Sequence, residues 1–314
     1  TYSHRMSGES LPIRVLHVDD DRDLVDLTAT VLERTDERLQ VETATRAADA
    51  LERLEDVDCV VSDFEMPGMD GIELLERVRE DYPDLPFILY TGRGSEAVAS
   101  DAISAGVTDY LQKETGTSQY AVLANRIANA VDQFRATRRA ETLDRIRRVV
   151  RDVNQELIRA RTREDLERRV CEVVSRGDPY ALVWIGAPND EGTVVEPRAS
   201  DGQADEYLDD LTITLDESDT ARGPTARAIE DGELTVAQSI TEDPNFEPWR
   251  ESALEHGFRA SAAVPITYGD TVYGALNVYT DVEGAFDDAE KDLLEELSAD
   301  VGHAIHRIDS ERQY

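Results

Sequence analysis

Five short apolar runs alternate with amphipathic helical stretches between Ile13 and Phe134, and this alternation limits the fold more than any other feature of the chain. Several of the runs lack a strict apolar–polar alternation, as strands buried on both faces do. The pattern predicts an α/β fold, in which helices cover both faces of a doubly wound, five-stranded parallel sheet. The runs are IRVLHV from Ile13, LQVETA from Leu39, VDCVV from Val57, LPFILY from Leu85 and TDYLQ from Thr108. The helical stretches start near Arg22, Arg46, Ile72, Ser95 and Ser118.

The next segment, from Phe134 to about Arg176, has no strand pattern and a high helix propensity. Its apolar residues recur at the alternating three- and four-residue spacing of a short coiled-coil seam. These residues are Leu143, Ile146, Val150, Val153 and Leu157. We predict a helical, coiled-coil-like linker over residues 135–161, through which two chains pair as a parallel homodimer. The alternative is that the stripe is one packed face of a helix within a single chain.

The same segment is unusually basic for this chain. Between Arg135 and Arg163 there are ten arginines and four acidic residues, whereas the whole chain has 33 basic and 68 acidic residues. Three interpretations remain open: the arginines contact the molecule's own acidic surface, they bind a partner, or they form a solvated helix face.

The acidic composition indicates the environment of the protein and excludes one class of partner. A net charge of −35 keeps a protein soluble, but the like charges repel one another. Molar salt shortens the Debye length to about 3 Å and relieves that repulsion. The composition is therefore typical of a halophile that accumulates salt, such as a haloarchaeon. We do not expect these domains to bind nucleic acid directly.

The sequence carries no signal for a membrane or for secretion. It contains no run of about 18 apolar residues, and its N-terminus lacks an apolar stretch flanked by positive charge. Cys59 and Cys171 are the only cysteines and each is isolated, which indicates neither a disulfide framework nor a zinc site. We predict a cytoplasmic protein with two packed thiols and no membrane contact.

After Arg176 the pattern changes to short strands separated by turns. The strand-like runs are ALVWIG, TVVEPRA, LTITL, ELTVA, RASAAVPIT and TVYGALNVYT, and Tyr268-Gly269-Asp270 joins the last two as a hairpin. A closing helix begins at Asp287 and carries an apolar stripe of Leu294, Leu297, Val301, Ile305 and Ile308. A helix, an antiparallel sheet and a further helix predict a second, α+β domain over residues 162–310.

Polar residues follow four of the five runs of the parallel sheet. Asp19, Asp20 and Asp21 follow the first run, Asp63 the third, Thr91 the fourth and Lys113 the fifth. The carboxyl ends of parallel strands border the active crevice of an open sheet, so these residues are expected to converge. Neighbouring carboxylates favour a hard cation, for which Mg²⁺ is the natural choice. A lysine and a hydroxyl beside them suit a phosphoryl group.

Each of these residues also has a simpler interpretation. The three aspartates are compatible with a helix N-cap cluster, and Asp21 is the most suitable of them for that role. Asp63 also suits a turn before Pro67-Gly68, and Lys113 a surface position.

The motifs VLHVDDD, CVVSDFEMPGMDG, FILYTG and DYLQK occur in the order and at the spacing of a known family. Together they resemble the receiver domain of two-component response regulators, here over residues 11–134. The resemblance implies a flavodoxin-like fold in which Asp63 accepts a phosphoryl group. The donor would be a phosphohistidine of a sensor histidine kinase or a phosphotransfer protein.

The same resemblance assigns further roles by position. Asp20 and Asp63 would bind Mg²⁺ through their side chains, Asp19 mainly through water, and Glu65 through its backbone carbonyl. Thr91 and Lys113 would contact the phosphoryl oxygens, and Tyr110 occupies the aromatic switch position. Two positions depart from the family: Glu114 replaces the usual proline after Lys113, and Gly92 replaces the commoner alanine after Thr91. Glu65 and Arg93 are expected to flank the mouth of the site.

Residues 162–310 resemble GAF domains, which sense small molecules or redox state and also dimerise. The resemblance rests on GPTARAIEDGELTVAQSITEDPNF, GFRASAAVPITYGDTVYGALNVYT and FDDAEKDLLEELSADVGHAI. We predict a largely apolar ligand pocket lined by Trp184, Phe258, Ser261 and Tyr279. Its ligand would be non-covalent, since Cys171 falls on the entry helix, and would not be a cyclic nucleotide. The alternative is that these aromatic residues fill the core and the domain only dimerises.

The sequence therefore predicts a response regulator of haloarchaeal type, phosphorylated on Asp63 and coupled to a GAF sensor or dimerisation domain. We expect no enzymatic activity beyond its own phosphoryl transfer and dephosphorylation. The alternative is the sensor half of a haloarchaeal transcription activator whose helix-turn-helix output lies beyond residue 314. A histidine kinase is disfavoured because His303 and His306 lack the context of a phosphorylated histidine.

Overall fold

A computed structural model describes residues 12–92, 96–177, 179–203, 205–209, 211–215, 220 and 222–312. The chain divides into two compact units, the first ending at Glu141 and the second beginning at Thr142. This division falls within the segment 135–161 that the sequence assigns to a linker. Residue 11, the predicted start of the first domain, lies outside the described residues.

The first unit is built around a five-stranded parallel sheet with the strand order β2-β1-β3-β4-β5. Its strands are β1 (Ile13–Val18), β2 (Leu39–Ala44), β3 (Cys59–Ser62), β4 (Phe87–Thr91) and β5 (Asp109–Gln112). Its helices are α1 (Arg22–Thr35), α2 (Ala47–Leu51), α3 (Gly71–Asp81), α4 (Glu96–Ser104) and the first part of α5 (Ser118–Arg159). The predicted doubly wound α/β fold is confirmed, and every strand overlaps the run predicted for it.

Helices cover both faces of this sheet because successive side chains of each strand point to opposite faces. Leu16 and Val18 of β1 belong to an apolar cluster that includes residues of α2 and α3. Ile13 and Val15 belong to a second cluster, which includes residues of α1 and α5. With both faces covered, a site open to a ligand is expected at the carboxyl ends of the strands.

The second unit contains a five-stranded antiparallel sheet with the strand order β7-β6-β10-β9-β8. Helix α6 (Arg163–Ser175) precedes β6 (Leu182–Pro188), β7 (Val195–Gly202), β8 (Thr235–Ala237), β9 (Ala260–Tyr268) and β10 (Thr271–Thr280). Helices α7 (Asp205–Asp209), α8 (Pro224–Asp231) and α9 (Arg250–Glu255), and a 3-10 helix (Pro244–Trp249), connect the strands, and α10 (Asp288–Arg312) follows them. The predicted α+β architecture is confirmed.

The hairpin and the closing helix agree with the sequence, whereas one predicted strand was wrong. Tyr268 pairs with Thr271 across the turn, where Gly269 has a positive φ of 57°. All five residues of the predicted α10 stripe are buried. Of the run LTITL, only Thr214 forms a bridge, to Val194. The next rung of that ladder would need an N–H from Pro197, which proline lacks.

The apolar stripe of α5 is packed inside the second unit. Val153 and Leu157 are 0% and 7% exposed, in an apolar cluster that also contains residues of α6 and α10. Ile146 and Val150 pack against that cluster, while Leu143 is exposed. These four residues therefore pack within a single chain, as the alternative interpretation of the stripe predicts. Among the described helices, none is both long enough and apolar enough to cross a bilayer.

Candidate functional site

Two main-chain hydrogen bonds align the strand ends on which the predicted site depends. The N–H of Asp63, just past β3, donates to the carbonyl of Val18 at the end of β1 at 2.8 Å. The N–H of Lys113, just past β5, donates to the carbonyl of Thr91 at the end of β4, also at 2.8 Å. Because the strands are parallel, these ends meet at one edge of the sheet. Asp19, Asp63, Thr91 and Lys113 therefore lie at that edge.

The ammonium group of Lys113 lies between two buried carboxylates. Its Nζ is 2.6 Å from Asp19 Oδ2 and 2.9 Å from Asp63 Oδ1. Asp19 is 2% exposed and Asp63 is 7% exposed. Burial alone would lower the pKa of Lys113, but its hydrogen bonds to the two carboxylates outweigh this effect and raise the pKa. Lys113 therefore carries its charge at neutral pH.

The carboxylate and the carbonyl of Asp63 are both held by neighbouring residues. The N–H of Glu65 donates to Asp63 Oδ2 at 3.1 Å, and the Ser62 hydroxyl donates to the Asp63 carbonyl at 2.8 Å. With Lys113 on Oδ1, each carboxylate oxygen of Asp63 accepts a charged or backbone hydrogen bond. These bonds fix the orientation of the Asp63 side chain.

The three aspartates after β1 have different surroundings. Asp19 Oδ1 accepts a hydrogen bond from the N–H of Asp21 at 2.9 Å. Asp21 accepts from the N–H groups of Asp23 and Leu24, and is therefore the N-cap of α1. Asp20 is exposed. In the part of the chain that the structure describes, no group of three or more Asp, Glu, His or Cys side chains surrounds a common metal position.

The chemistry and charge of this edge nevertheless fit Mg²⁺. Among the described residues of this edge, three carboxyl groups, those of Asp19, Asp20 and Asp63, stand against one ammonium group, that of Lys113. A divalent cation would balance that excess. Mg²⁺ prefers carboxylate and carbonyl oxygens and keeps several waters, so it needs only one or two carboxylates from the protein.

Gly71, the first residue of α3, supports the site and was not singled out from the sequence. A Cβ atom at Gly71 would lie 2.3 Å from the carbonyl oxygen of Asp63. The N–H of Gly71 also donates to the carbonyl of Phe64 at 2.9 Å. Glycine is therefore what allows α3 to begin so close to Asp63. The available signal was its position as the last residue of the motif CVVSDFEMPGMDG.

We expect Gly71→Ala to destabilise the first unit by about 1–3 kcal/mol, the usual cost of overpacking. It should also slow phosphorylation, because the added methyl group displaces the backbone of Asp63. Urea denaturation and phosphorylation rates measure the two effects. Gly92→Ala is the matched control, since among the described residues a Cβ atom there would approach only Lys113 Cδ, at 4.0 Å. Equal stability and rates in the two variants would contradict this role for Gly71.

Three further positions lie on or directly after β4 and β5. Thr91 is 1% exposed at the end of β4. Tyr110 lies on β5, and its hydroxyl is buried with no hydrogen-bond partner among the described residues. The N–H of Glu114 donates to Gln119 Oε1 at 3.0 Å, a bond that the proline usual at this position cannot form. Arg93 lies outside the described residues.

His17 lies on β1 close to the site and was also not singled out from the sequence. It is fully buried, and neither ring nitrogen has a hydrogen-bond partner among the described residues. Burial lowers the pKa of His17 to about 4, although the nearby Asp19 carboxylate opposes this shift. The imidazole is therefore neutral at pH 7 and adds no charge to the edge of the sheet.

The four residues predicted to line a ligand pocket lie in the core of the second unit. Trp184 and Phe258 are 0% exposed, Ser261 2% and Tyr279 4%. The rings of Phe258 and Tyr279 have centroids 5.1 Å apart, and both rings contact Tyr207. This packing agrees with the alternative interpretation, in which the aromatic residues fill the core.

Comparisons with known proteins agree with both units. The family model of the response regulator receiver domain matches residues 15–124, and that of the GAF domain matches residues 160–306. Over 105 residues the chain is 35% identical to a CheY homologue, a chemotaxis protein of Campylobacter jejuni. That match covers 32% of this chain and 81% of the relative. The chain belongs to the response regulator family.

This response regulator also resembles longer proteins. It is 30% identical over 348 residues to a Haloferax volcanii protein named as a candidate transcriptional regulator. The match covers 95% of this chain but only 57% of that relative's length.

A CheY-like receiver domain structure from Methanospirillum hungatei is 29% identical to this chain, with a TM-score of 0.37. That match covers 40% of this chain and 98% of the other.

Proposed function

We propose that this response regulator accepts a phosphoryl group on Asp63 in the cytoplasm. The donor would be the phosphohistidine of a sensor histidine kinase or of a phosphotransfer protein. The observation that supports this most is the ammonium group of Lys113, shared by the buried carboxylates of Asp19 and Asp63 at 2.6 and 2.9 Å. A fixed positive charge beside a fixed carboxylate suits a reaction that brings an anionic group to that carboxylate.

In the proposed reaction a carboxylate oxygen of Asp63 attacks the phosphorus of the phosphohistidine. The phosphorus–nitrogen bond breaks, its electron pair returns to the imidazole nitrogen, which takes up a proton, and an acyl phosphate remains on Asp63. Lys113 neutralises the phosphoryl oxygens and the Thr91 hydroxyl donates to them. Water later attacks the phosphorus, the bond between the phosphorus and the Asp63 oxygen breaks, and inorganic phosphate leaves while the Asp63 carboxylate is restored. Apart from these two steps we propose no enzymatic activity.

Receiver domains generally bind Mg²⁺ at the phosphorylation site, and here the proposed ligands are oxygen atoms. Asp20 and Asp63 would hold it through side chains, Glu65 through its backbone carbonyl, and Asp19 through water. When bound, Mg²⁺ supplies positive charge beside the phosphoryl oxygens. The ammonium group of Lys113, which is ion-paired with Asp19, also supplies positive charge.

We expect acetyl phosphate to label the protein only in the presence of Mg²⁺, giving a phosphoprotein that hydroxylamine cleaves. Lys113→Ala should label at least tenfold more slowly, because the phosphoryl oxygens lose their cationic partner. Phosphate-affinity gels measure both results. Lys291→Ala is the control, since Lys291 is the other lysine of the chain and, in the part that the structure describes, forms an ion pair only with Asp288 of the second unit. Labelling that is indifferent to Mg²⁺, or equal in the two lysine variants, would contradict the proposal.

Tyr110 is the proposed switch through which phosphorylation reaches the surface of the receiver domain. Its hydroxyl is buried without a hydrogen-bond partner among the described residues, which destabilises this rotamer. A rotamer in which the hydroxyl forms a hydrogen bond would recover that free energy. Hydrogen exchange of β5, with and without phosphorylation, tests this role. Identical exchange in wild-type protein and in Tyr110→Phe after phosphorylation would argue against it.

We propose that the GAF domain senses a non-covalent ligand or dimerises. Burial raises the pKa of the Cys171 thiol, which disfavours covalent attachment of a ligand there. Calorimetric titration with cyclic AMP and cyclic GMP should show no micromolar binding. For the proposed homodimer, light scattering of Leu143→Glu is informative, because Leu143 is the residue of the predicted seam that is exposed on α5. A wild-type monomer at high salt would exclude the dimer.

The halophilic character gives a separate prediction. The melting temperature should rise steeply between low and molar potassium chloride, because salt screens the repulsion within a chain of net charge −35. Circular dichroism at several salt concentrations measures this. A melting temperature that does not change with salt would count against a halophilic origin.

A second candidate function is the sensor half of a transcription activator. The name of the Haloferax volcanii relative favours it, together with the 57% of that protein which this chain spans. DNA would then be bound by a helix-turn-helix beyond residue 314, and not by these acidic domains. Reading the genomic sequence past Tyr314 tests this candidate directly.

A further inference from the structure

The second unit contains a basic cavity that the proposed function does not use. It has a volume of about 440 Å³ and lies where α5 meets the end of α6. Its charged lining consists of Arg145, Arg148 and Arg176 against Asp152. The volume falls within the range of about 300–1,000 Å³ that small-molecule sites occupy. None of the four residues predicted for the GAF pocket lines it.

Its charge is the reverse of the charge of the chain. Three arginines and one aspartate line the cavity, whereas acidic residues outnumber basic ones two to one in the whole sequence. Asp152 is itself paired, since its Oδ1 lies 3.2 Å from Arg151 Nε. The lining of the cavity therefore has a net positive charge, and its aspartate is already paired with an arginine outside the lining.

Arg145 has a hydrogen-bonding requirement that the protein leaves unmet. One of its terminal nitrogens pairs with Glu290, which also accepts a hydrogen bond from the Tyr180 hydroxyl at 2.5 Å. The other, Nη1, is buried and has no hydrogen-bond partner among the described residues. A buried donor on a charged group is costly without an acceptor. Because the Arg145 side chain lines the cavity, an anion that reached Nη1 from there would supply that acceptor.

Arg148 and Arg176 retain donors for a ligand. The Nε of Arg148 is 3.4 Å from the carbonyl of Asp144, a long contact, and the described residues provide it with no ion pair. The side chain of Arg176 is 73% exposed, and its Nη2 lies 3.8 Å from Glu172, too far for a hydrogen bond. Both guanidinium groups are therefore available to bind an anion.

We propose that this cavity binds the phosphate group of a small phosphorylated molecule. A phosphate monoester offers three oxygens and up to two negative charges, which suits three guanidinium groups, two from α5 and one from Arg176, which directly follows α6. A carboxylate offers two coplanar oxygens and one charge, which a single arginine fork satisfies. Since Arg145 also binds Glu290 of α10, a ligand here shares a contact with the closing helix of the domain.

Isothermal titration of the full chain with pyrophosphate tests the proposal, in molar potassium chloride and without divalent cations. Under these conditions the aspartates around Asp63 repel the probe, so the receiver site does not contribute. We expect one site per chain, weakened about tenfold by Arg148→Gln and by Arg176→Gln. Arg147→Gln is the matched control, because Arg147 is exposed on the same helix and does not line the cavity.

Each outcome bears on the proposal. Weakening by Arg148→Gln and Arg176→Gln but not by Arg147→Gln supports it, and inorganic phosphate should then compete with pyrophosphate. Equal weakening by all three variants indicates diffuse attraction to a basic helix and overturns the site. Citrate that binds as tightly as pyrophosphate overturns the choice of phosphate. Absence of binding at millimolar pyrophosphate overturns the proposal, whereas the proposed phosphorylation of Asp63 does not depend on this result.

Discussion

Replacing Asp63 with asparagine is expected to abolish acyl-phosphate formation in this response regulator. An amide has the size and shape of the carboxylate, but its nitrogen is a donor and its oxygen is a poor nucleophile. The other buried carboxylate at this edge, Asp19, is hydrogen-bonded both to Lys113 and to the N–H of Asp21. It is also less exposed than Asp63, 2% against 7%, and is therefore the less accessible of the two carboxylates to a phosphoryl donor. Labelling with acetyl phosphate should fall to background, as when the nucleophile of a covalent mechanism is removed.

Asp81→Asn provides the matched control for this experiment. Asp81 is exposed at the end of α3 in the same unit, so the substitution changes the net charge equally and leaves the site alone. Circular dichroism shows whether each variant remains folded. Labelling of Asp63→Asn at the level of Asp81→Asn would move the phosphoacceptor to another residue and overturn the proposed function.

Replacing Val153 with glutamate is expected to unfold the second unit. Val153 is 0% exposed in the apolar cluster between α5, α6 and α10, and a carboxylate there would have to lose its hydration without a partner. Buried unpaired charges belong to the substitutions that cost more than about 4 kcal/mol. Domains are stable by only about 5–15 kcal/mol, so most of the stability would be lost. Ile158→Glu, on the same helix at 77% exposure, should change stability by less than about 0.5 kcal/mol.

Tryptophan fluorescence during urea denaturation reports on this unit alone. The chain has two tryptophans, Trp184 and Trp249, and both are buried in the second unit. Phosphorylation of Asp63 provides an independent readout of the first. If Val153→Glu is as stable as Ile158→Glu, Val153 is not a core residue. If it is folded and converts a dimer into a monomer, the stripe of α5 pairs two chains as the seam spacing predicted.

The local pattern of the sequence was sufficient for the elements of both units. Each strand of the parallel sheet is a short apolar run. Such a run between two helices is typical of a strand that is buried on both faces. Asp21 as an N-cap and the Gly269 turn are equally local, since each depends on hydrogen bonds or backbone angles of neighbouring residues. The convergence of Asp19, Asp63, Thr91 and Lys113 followed from the rule for parallel strands.

Tertiary structure decided the features that depend on distant residues. The stripe from Ile146 to Leu157 has the same spacing whether it packs within a chain or between two chains, so only its contacts show which partner covers it. The run LTITL has strand character, but its ladder ends at Pro197 of another segment. Gly71 matters because α3 approaches the carbonyl of Asp63, and Arg145 because its buried Nη1 has no acceptor among the described residues. Spacing along a chain specifies which residues share a face, whereas distances between faces arise only when the chain has folded.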